Sequence, residues 1–246
     1  MRSIHINCDL GEGGNHDKEI MPLISACNIA CGGHAGNLET MQHTVDLAMK
    51  HGVEIGAHPS YPDKENFGRI SIKIDPKELK RSLVAQILSL KQITEAEGAR
   101  LVHVKPHGAL YNDAQKDEKT AAVVLDALRE FDDLPVLYAP ENSVIARMAE
   151  GDFRVIFEAF ADRNYNSDHS LVSRLKSNAL ITQKKEVFEH LFAMFNDRKI
   201  TTNSGEKIDC RAGTFCLHSD TPNSVEILQF LHRKFLENDI KIKNVS

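Results

Sequence analysis

The sequence predicts one α/β domain spanning 1–246, folded as an irregular (β/α) barrel of about seven parallel strands. Three observations point there. Short β-like runs alternate with amphipathic helical stretches about seven times, the pattern of parallel strands joined by crossover helices. No break in composition and no Ser/Pro-rich linker divides the chain. Nearly every β-like run also ends in ionisable residues. An open doubly wound sheet places its ligand crevice at one switch point and would decorate few strands, whereas a barrel brings all those ends to one mouth.

In chain order the predicted strands are SIHINCD, ACNIA, VEIGAH, RLVHVK, LPVLYA, RVIFEAFA and GTFCLHS. A helix over 38–51 is expected to stop at Gly52. The next opens on Asp75-Pro76-Lys77-Glu78, which offers an N-cap, a proline at the first helical position and an acid three residues after the cap. Leu79, Leu83, Val84, Ile87, Leu90 and Ile93 form its apolar face, and Gly98 is its stop. Segment 199–210, centred on Asn203-Ser204-Gly205, reads as an inserted β-hairpin before the final strand. Thr221-Pro222 repeats the helix-start signal for the last helix.

Composition narrows the function. The 246 residues are 41% apolar, enough to fill a sizeable core, and carry a net charge of -5. Without an excess of cations the chain has no means of neutralising phosphates, which argues against nucleic acid and membrane surfaces as partners. MRSIHINCDL lacks the apolar run of a signal peptide, and no later stretch approaches membrane-spanning length, so a cytoplasmic location is expected. Five cysteines, at 8, 27, 31, 210 and 216, read as reduced thiols. Neither a P-loop nor a GxGxxG occurs, so no nucleotide site of its own is expected.

The decorated strand ends supply the candidate chemistry. Asp9 and Glu12 sit among glycines in NCDLGEGG, where a tight turn brings acids close to a ligand. In NIACGGHAG, Cys31 and His34 suggest a nucleophile with its base or a metal loop, although Cys27, Cys31 and His34 lack a zinc-knuckle spacing and Cys31 reads best as packing. His58 is stiffened by Pro59. Lys105 and His107 flank a proline, with Tyr111 one turn later. A lysine ending an apolar run calls for an anion, either a substrate carboxylate or phosphate or one of Asp9, Glu12 and Glu158. Glu158 lies inside VIFEAFA and needs a cationic partner such as Arg163 or Lys105. His43, His51, His103, His190 and His232 receive no role.

Six ordered motifs, NCDLGEG, SACNIACGGHAG, GAHPSYPD, NFGR, HVKPHGALYN and FADRNY, closely resemble the LamB/YcsF family over nearly the whole chain. The resemblance implies a seven-stranded barrel of the glycoside hydrolase/deacetylase kind. It also implies a hydrolase that opens the 5-oxoproline (pyroglutamate) lactam to L-glutamate with ATP hydrolysis, in complex with partner subunits B and C, the ATP site lying on a partner. On this reading Asp9, Glu12, His34, His58, Lys105 and His107 are catalytic. Asn28, Tyr111, Glu158, Asp162, Arg163 and His218 bind substrate, with Lys105 and Arg163 on its carboxylate. The alternatives are a stand-alone metal-dependent amide hydrolase or deacetylase, its divalent metal held by Asp9, His34 and His58, and a non-catalytic lactam-binding subunit. CGGHAGN stands where the family usually shows CGFHAGD, and the last strand ends HSDTPN rather than HGD. Gly33 in place of Phe is expected to enlarge the pocket beside His34.

Overall fold

In the computed structural model, which describes residues 2–133 and 135–243, seven parallel strands close on themselves. They are β1 (Ile6–Leu10), β2 (Ala26–Ala30), β3 (Glu54–His58), β4 (Leu101–Val104), β5 (Val136–Pro140), β6 (Val155–Phe160) and β7 (Thr214–Cys216). Each strand pairs with the next, and β7 returns to β1 to seal the barrel. Leu134, which opens the expected strand LPVLYA, and the extreme ends of 1–246 lie outside the described residues.

β1 and β2 are buried at every position because helices cover the outside while the interior is filled by side chains. The outward residues are apolar, as in Cys8, Leu10, Cys27 and Ile29. The alternate, inward positions of β1, β2 and β4 are polar: Asn7, Asp9, Asn28 and His103 are all at most 4% exposed. The interior of most such barrels is packed with branched aliphatic residues. Here a hydrogen-bonded polar plug takes that place, and Gly56 on β3 makes room for it. A Cβ at Gly56 would lie 2.0 Å from His103 Nε2, and the β3–β4 register shifts between Ile55 and Gly56.

The helices follow local signals closely. α1 (Leu38–His51) is capped by Asn37, which accepts from Thr40 N, and ends at left-handed Gly52. α2 (Pro76–Ala96) begins where the Asp75 carboxylate accepts from Lys77 N and Glu78 N. The pair α3 (Gly108–Lys116) and α4 (Glu118–Leu128), with α5 (Val144–Met148) and α6 (Lys184–Phe192), continues around the barrel. Lys199–Thr201 pairs antiparallel with Lys207–Asp209, forming a hairpin ahead of β7.

Two features depart from the sequence reading. The run SIHINCD is split at His5: Arg2–Ile4 leaves the barrel and pairs in parallel with Ile240–Ile242, a strand beyond the last helix. That helix, α7 (Ser224–Glu237), starts at left-handed Asn223 rather than at Thr221-Pro222, because the Thr221 hydroxyl donates to Asp162 (2.5 Å) instead of capping. All five cysteines are buried free thiols. Among the described residues no helix is long and apolar enough to cross a membrane.

Replacing Gly56 by Ala puts a methyl inside the His103 ring's van der Waals envelope. The expected loss is about 1–3 kcal/mol, typical of overpacking, read as a lower midpoint in urea unfolding.

Candidate active site

The mouth is organised around one buried cation. Lys105, just beyond β4, is 2% exposed, and its Nζ lies 2.9 Å from Asp9 Oδ1, 3.0 Å from Glu158 Oε1 and 3.1 Å from Cys216 Sγ. The Phe160 ring lies 5.0 Å away. Burial works against the ammonium, but Asp9, Cys216 and Glu158 hold its pKa well above the ordinary lysine value. Burial would push Asp9 up, yet His58 and Lys105 keep that carboxyl well below the usual range. Asn28 donates to Asp9 Oδ1 (2.7 Å) and Asn7 Oδ1 (2.8 Å), and receives from His103 Nε2 (2.7 Å). Tyr111 donates to Glu158 (2.9 Å).

The two residues expected on a substrate carboxylate, Lys105 and Arg163, have internal partners in the structure. The Lys105 charge is already matched by two carboxylates, which leaves it no surplus for a substrate carboxylate. Arg163 donates through Nε to Ala179 O and through Nη2 to Val172 O, so its guanidinium ties down the irregular segment after β6.

Above the plug stand His34, His58 and His107 with Glu12. A carbonyl only accepts, so each backbone contact fixes a tautomer. His58 Nδ1 donates to Lys105 O (2.7 Å) and His107 Nε2 donates to Phe67 O (2.9 Å). The remaining nitrogens, His58 Nε2 and His107 Nδ1, lie 2.9 Å apart, facing one another as lone pairs when both rings are neutral, and His58 Nε2 also lies 3.3 Å from Asp9 Oδ2. Glu12 Oε1 adds a carboxylate 3.3 Å from His107 Nδ1, 3.8 Å from His58 Nε2 and 2.9 Å from His34 Nε2. His34 stacks flat on His107 (3.6 Å), and its Nδ1 is buried without a partner. Burial pushes the His34 and His107 pKa values down, so a second proton is a poor occupant of this convergence. Four ligand atoms lying within 4.8 Å of one another, two of them imidazole nitrogens held by carbonyls behind, suit a metal cation. The group shares His34 and His58 with the expected Asp9, His34 and His58 and adds Glu12 and His107, while Asp9 gives Oδ1 to Lys105 and Asn28 and turns Oδ2 to His58 Nε2 at 3.3 Å.

Opposite, His218 Nδ1 lies 3.0 Å from both oxygens of Asp162, which also accepts from His218 N and Thr221 Oγ1. Burial alone would raise Asp162, but His218 and Thr221 hold it at about 2. The arrangement leaves Nε2 as the ring's uncommitted nitrogen, and His218 groups with Asp9 and Cys216 within 4.8 Å.

Cys31 is no nucleophile: its thiol donates to Ile29 O, and burial pushes its pKa to about 12. Gly33 does not widen the mouth. A Cβ there would lie 2.4 Å from both Gln86 Oε1 and Ser60 Oγ, so the space is filled by a buried glutamine bonded to the Ser60 backbone. The aromatic neighbour of His34 is Phe67, at 5.2 Å. Sequence reasoning misses His103, Asn7 and Cys216. Period-two alternation from Lys105, Asp9 and His218 would find all three.

The sequence profile of the LamB/YcsF family matches residues 4–246. The 5-oxoprolinase A-subunit of Pyrococcus abyssi is 40% identical over 245 residues, covering 97% of this chain and 96% of that protein. The crystal structure of a lactam utilization protein from Thermus thermophilus superposes with a TM-score of 0.92 at 33% identity, covering 99% of this chain and all of that one. A family 4 carbohydrate esterase from Streptomyces lividans shares the fold alone, with a TM-score of 0.52, 8% identity and coverage of 100% and 93%.

The Asp162 pKa is depressed in the fold, so its contribution is complete above the unfolded value near 4 and disappears as pH falls towards 2. Wild type should exceed Asp162→Asn by about 2 kcal/mol near neutrality, with the gap closing between about pH 4 and pH 2 in denaturant titrations.

Proposed function

Because the chain belongs to the LamB/YcsF family, we propose that it is the lactam-opening hydrolase subunit of an ATP-dependent 5-oxoprolinase. It converts 5-oxoproline to L-glutamate in the cytoplasm, assembled with partner subunits B and C. The names of the Pyrococcus and Thermus relatives support this. The observation that carries it is the pairing, across Asp9, of a lone-pair and carboxylate cluster with a carboxylate-oriented histidine. Amide opening needs those two parts: acceptors for a proton from attacking water, and a donor for the leaving nitrogen.

In this reading Glu12 takes the proton from water. His218, oriented by Asp162, returns one to the ring nitrogen from Nε2 as the C–N bond breaks. Asp9, fixed by Lys105 and Asn28, stays ionised between the two. An unstrained five-membered lactam is a poor electrophile, so ATP activates its carbonyl oxygen. The nucleotide site lies on a partner, since this chain carries no phosphate-binding motif.

A second reading is favoured by the facing lone pairs of His58 and His107. Glu12, His34, His58 and His107 would hold a divalent metal, whose chemistry is to polarise a carbonyl and acidify water. Metal analysis of the purified chain with and without His58→Ala separates the two readings.

The test is lactam-dependent ATP hydrolysis by the chain with its partner subunits, over a small lactam panel. His218→Asn should lower kcat by about 10²–10⁴-fold, the usual worth of a general acid, with KM little changed. Undiminished turnover would reduce this chain to a lactam-binding subunit.

A further inference from the structure

We propose that Arg69 and Arg174 form a clamp at the mouth that binds the carboxylate of a carboxylated lactam. The inference rests on the lactam reading above and answers a question that reading leaves: what receives the substrate's negative charge. Lys105 is neutralised internally, and Arg163 is given to loop carbonyls. The family-like motif NFGR already gives the site its Phe67, through the carbonyl and the ring, and Arg69, its one charged residue, has no role in the site described above.

Arg69 comes from the loop after β3, Arg174 from the irregular segment after β6 and Asp220 from the turn after β7. Both guanidiniums converge on a single oxygen: Arg69 Nη2 lies 2.5 Å and Arg174 Nη1 3.1 Å from Asp220 Oδ2. Two positive charges thus share one negative charge. Each guanidinium makes that single hydrogen bond among the described residues and carries five N–H donors, so most of the donors remain free. The side chains are 43% and 30% exposed, which leaves those donors reachable. The surplus is felt nearby: burial and then Arg174 lower the pKa of Arg163.

The position suits the chemistry. The Arg69 guanidinium lies 4.8 Å over the Phe67 ring, and the same ring meets His34 and His107 edge-on at 5.2 Å and 5.5 Å. On the other side Asp220 follows His218 by two residues, and Ser219 Oγ anchors that turn to Asp9 O (2.7 Å). The clamp therefore borders both halves of the catalytic mouth. Planar guanidiniums are the groups best matched to a carboxylate, and Asp220 holds them in place until one arrives.

Calorimetric titration tests this directly, using 5-oxoproline, its uncharged analogue 2-pyrrolidinone and the ringless carboxylate succinate. Wild type should bind 5-oxoproline about ten- to a hundredfold more tightly than 2-pyrrolidinone, the worth of one or two charge-assisted hydrogen bonds. Arg69→Met with Arg174→Met should erase that preference and leave 2-pyrrolidinone binding unchanged. A preference that survives the double substitution, or no carboxylate binding by wild type at all, overturns the clamp. If wild type binds neither lactam but binds succinate through these arginines, the clamp stands and the lactam reading fails. Should the double variant fail to fold, Asp220→Asn decides. Freeing both guanidiniums tightens carboxylate binding several-fold, and unchanged or weaker binding overturns the proposal.

Discussion

Lys105 is the hub on which the barrel and its mouth depend. Its ammonium, 2% exposed, is sustained by Asp9 and Glu158, while its backbone carbonyl accepts a hydrogen bond from His58 Nδ1. One residue thus joins the polar floor to the histidine cluster above it. A buried ion pair rarely adds net stability, because desolvating the charges offsets most of their attraction, and removing one partner leaves an uncompensated charge inside. The interior meets that demand by satisfying the pair with Asn7, Asn28, Tyr111 and Cys216, at the expense of aliphatic layers. Such a plug is costly as packing and useful as chemistry: it holds Asp9 ionised at a fixed place beneath the reacting groups.

The same logic of fixed donors continues upward. Lys105 O and Phe67 O dictate which nitrogen of His58 and of His107 keeps its proton, and the geometry then leaves two lone pairs 2.9 Å apart with Glu12 beside them. A second proton is disfavoured at His107 by burial, and the convergence has the donor set that could hold a metal cation. His218 is held from the other side, by a carboxylate rather than a carbonyl. Asp162, held at about 2, remains a carboxylate and orients the ring through Nδ1. Environment separates the duties of chemically similar side chains.

Much of this is legible in sequence, for reasons that differ by residue. The barrel strands can be read because strands covered by helices are continuous apolar runs interrupted by polar inward positions. Asn37, Gly52 and Asp75 act on neighbours within four residues, so local pattern suffices. Thr221 misleads because tertiary structure recruits its hydroxyl to Asp162, and the Arg2–Ile4 pairing is invisible locally since its partner, Ile240–Ile242, lies at the other end of the chain. The ionisable positions at strand ends are found by type and place. Their partners are not: Lys105 suits a substrate anion or an internal one equally until β1, β4 and β6 are brought together. Gly33 reads as clearance for a ligand, whereas Gln86, on a helix, occupies that space.

The central claim is that backbone carbonyls set the tautomers of His58 and His107 so that their other nitrogens face one another beside Glu12, where they could hold a cation. Nitrogen-15 NMR of the histidine rings measures this directly. The account predicts an Nδ1–H ring for His58 and an Nε2–H ring for His107 at neutral pH, with stoichiometric Zn²⁺ shifting His58 Nε2 and His107 Nδ1 together. Opposite tautomers, or ring signals indifferent to the metal, would contradict it.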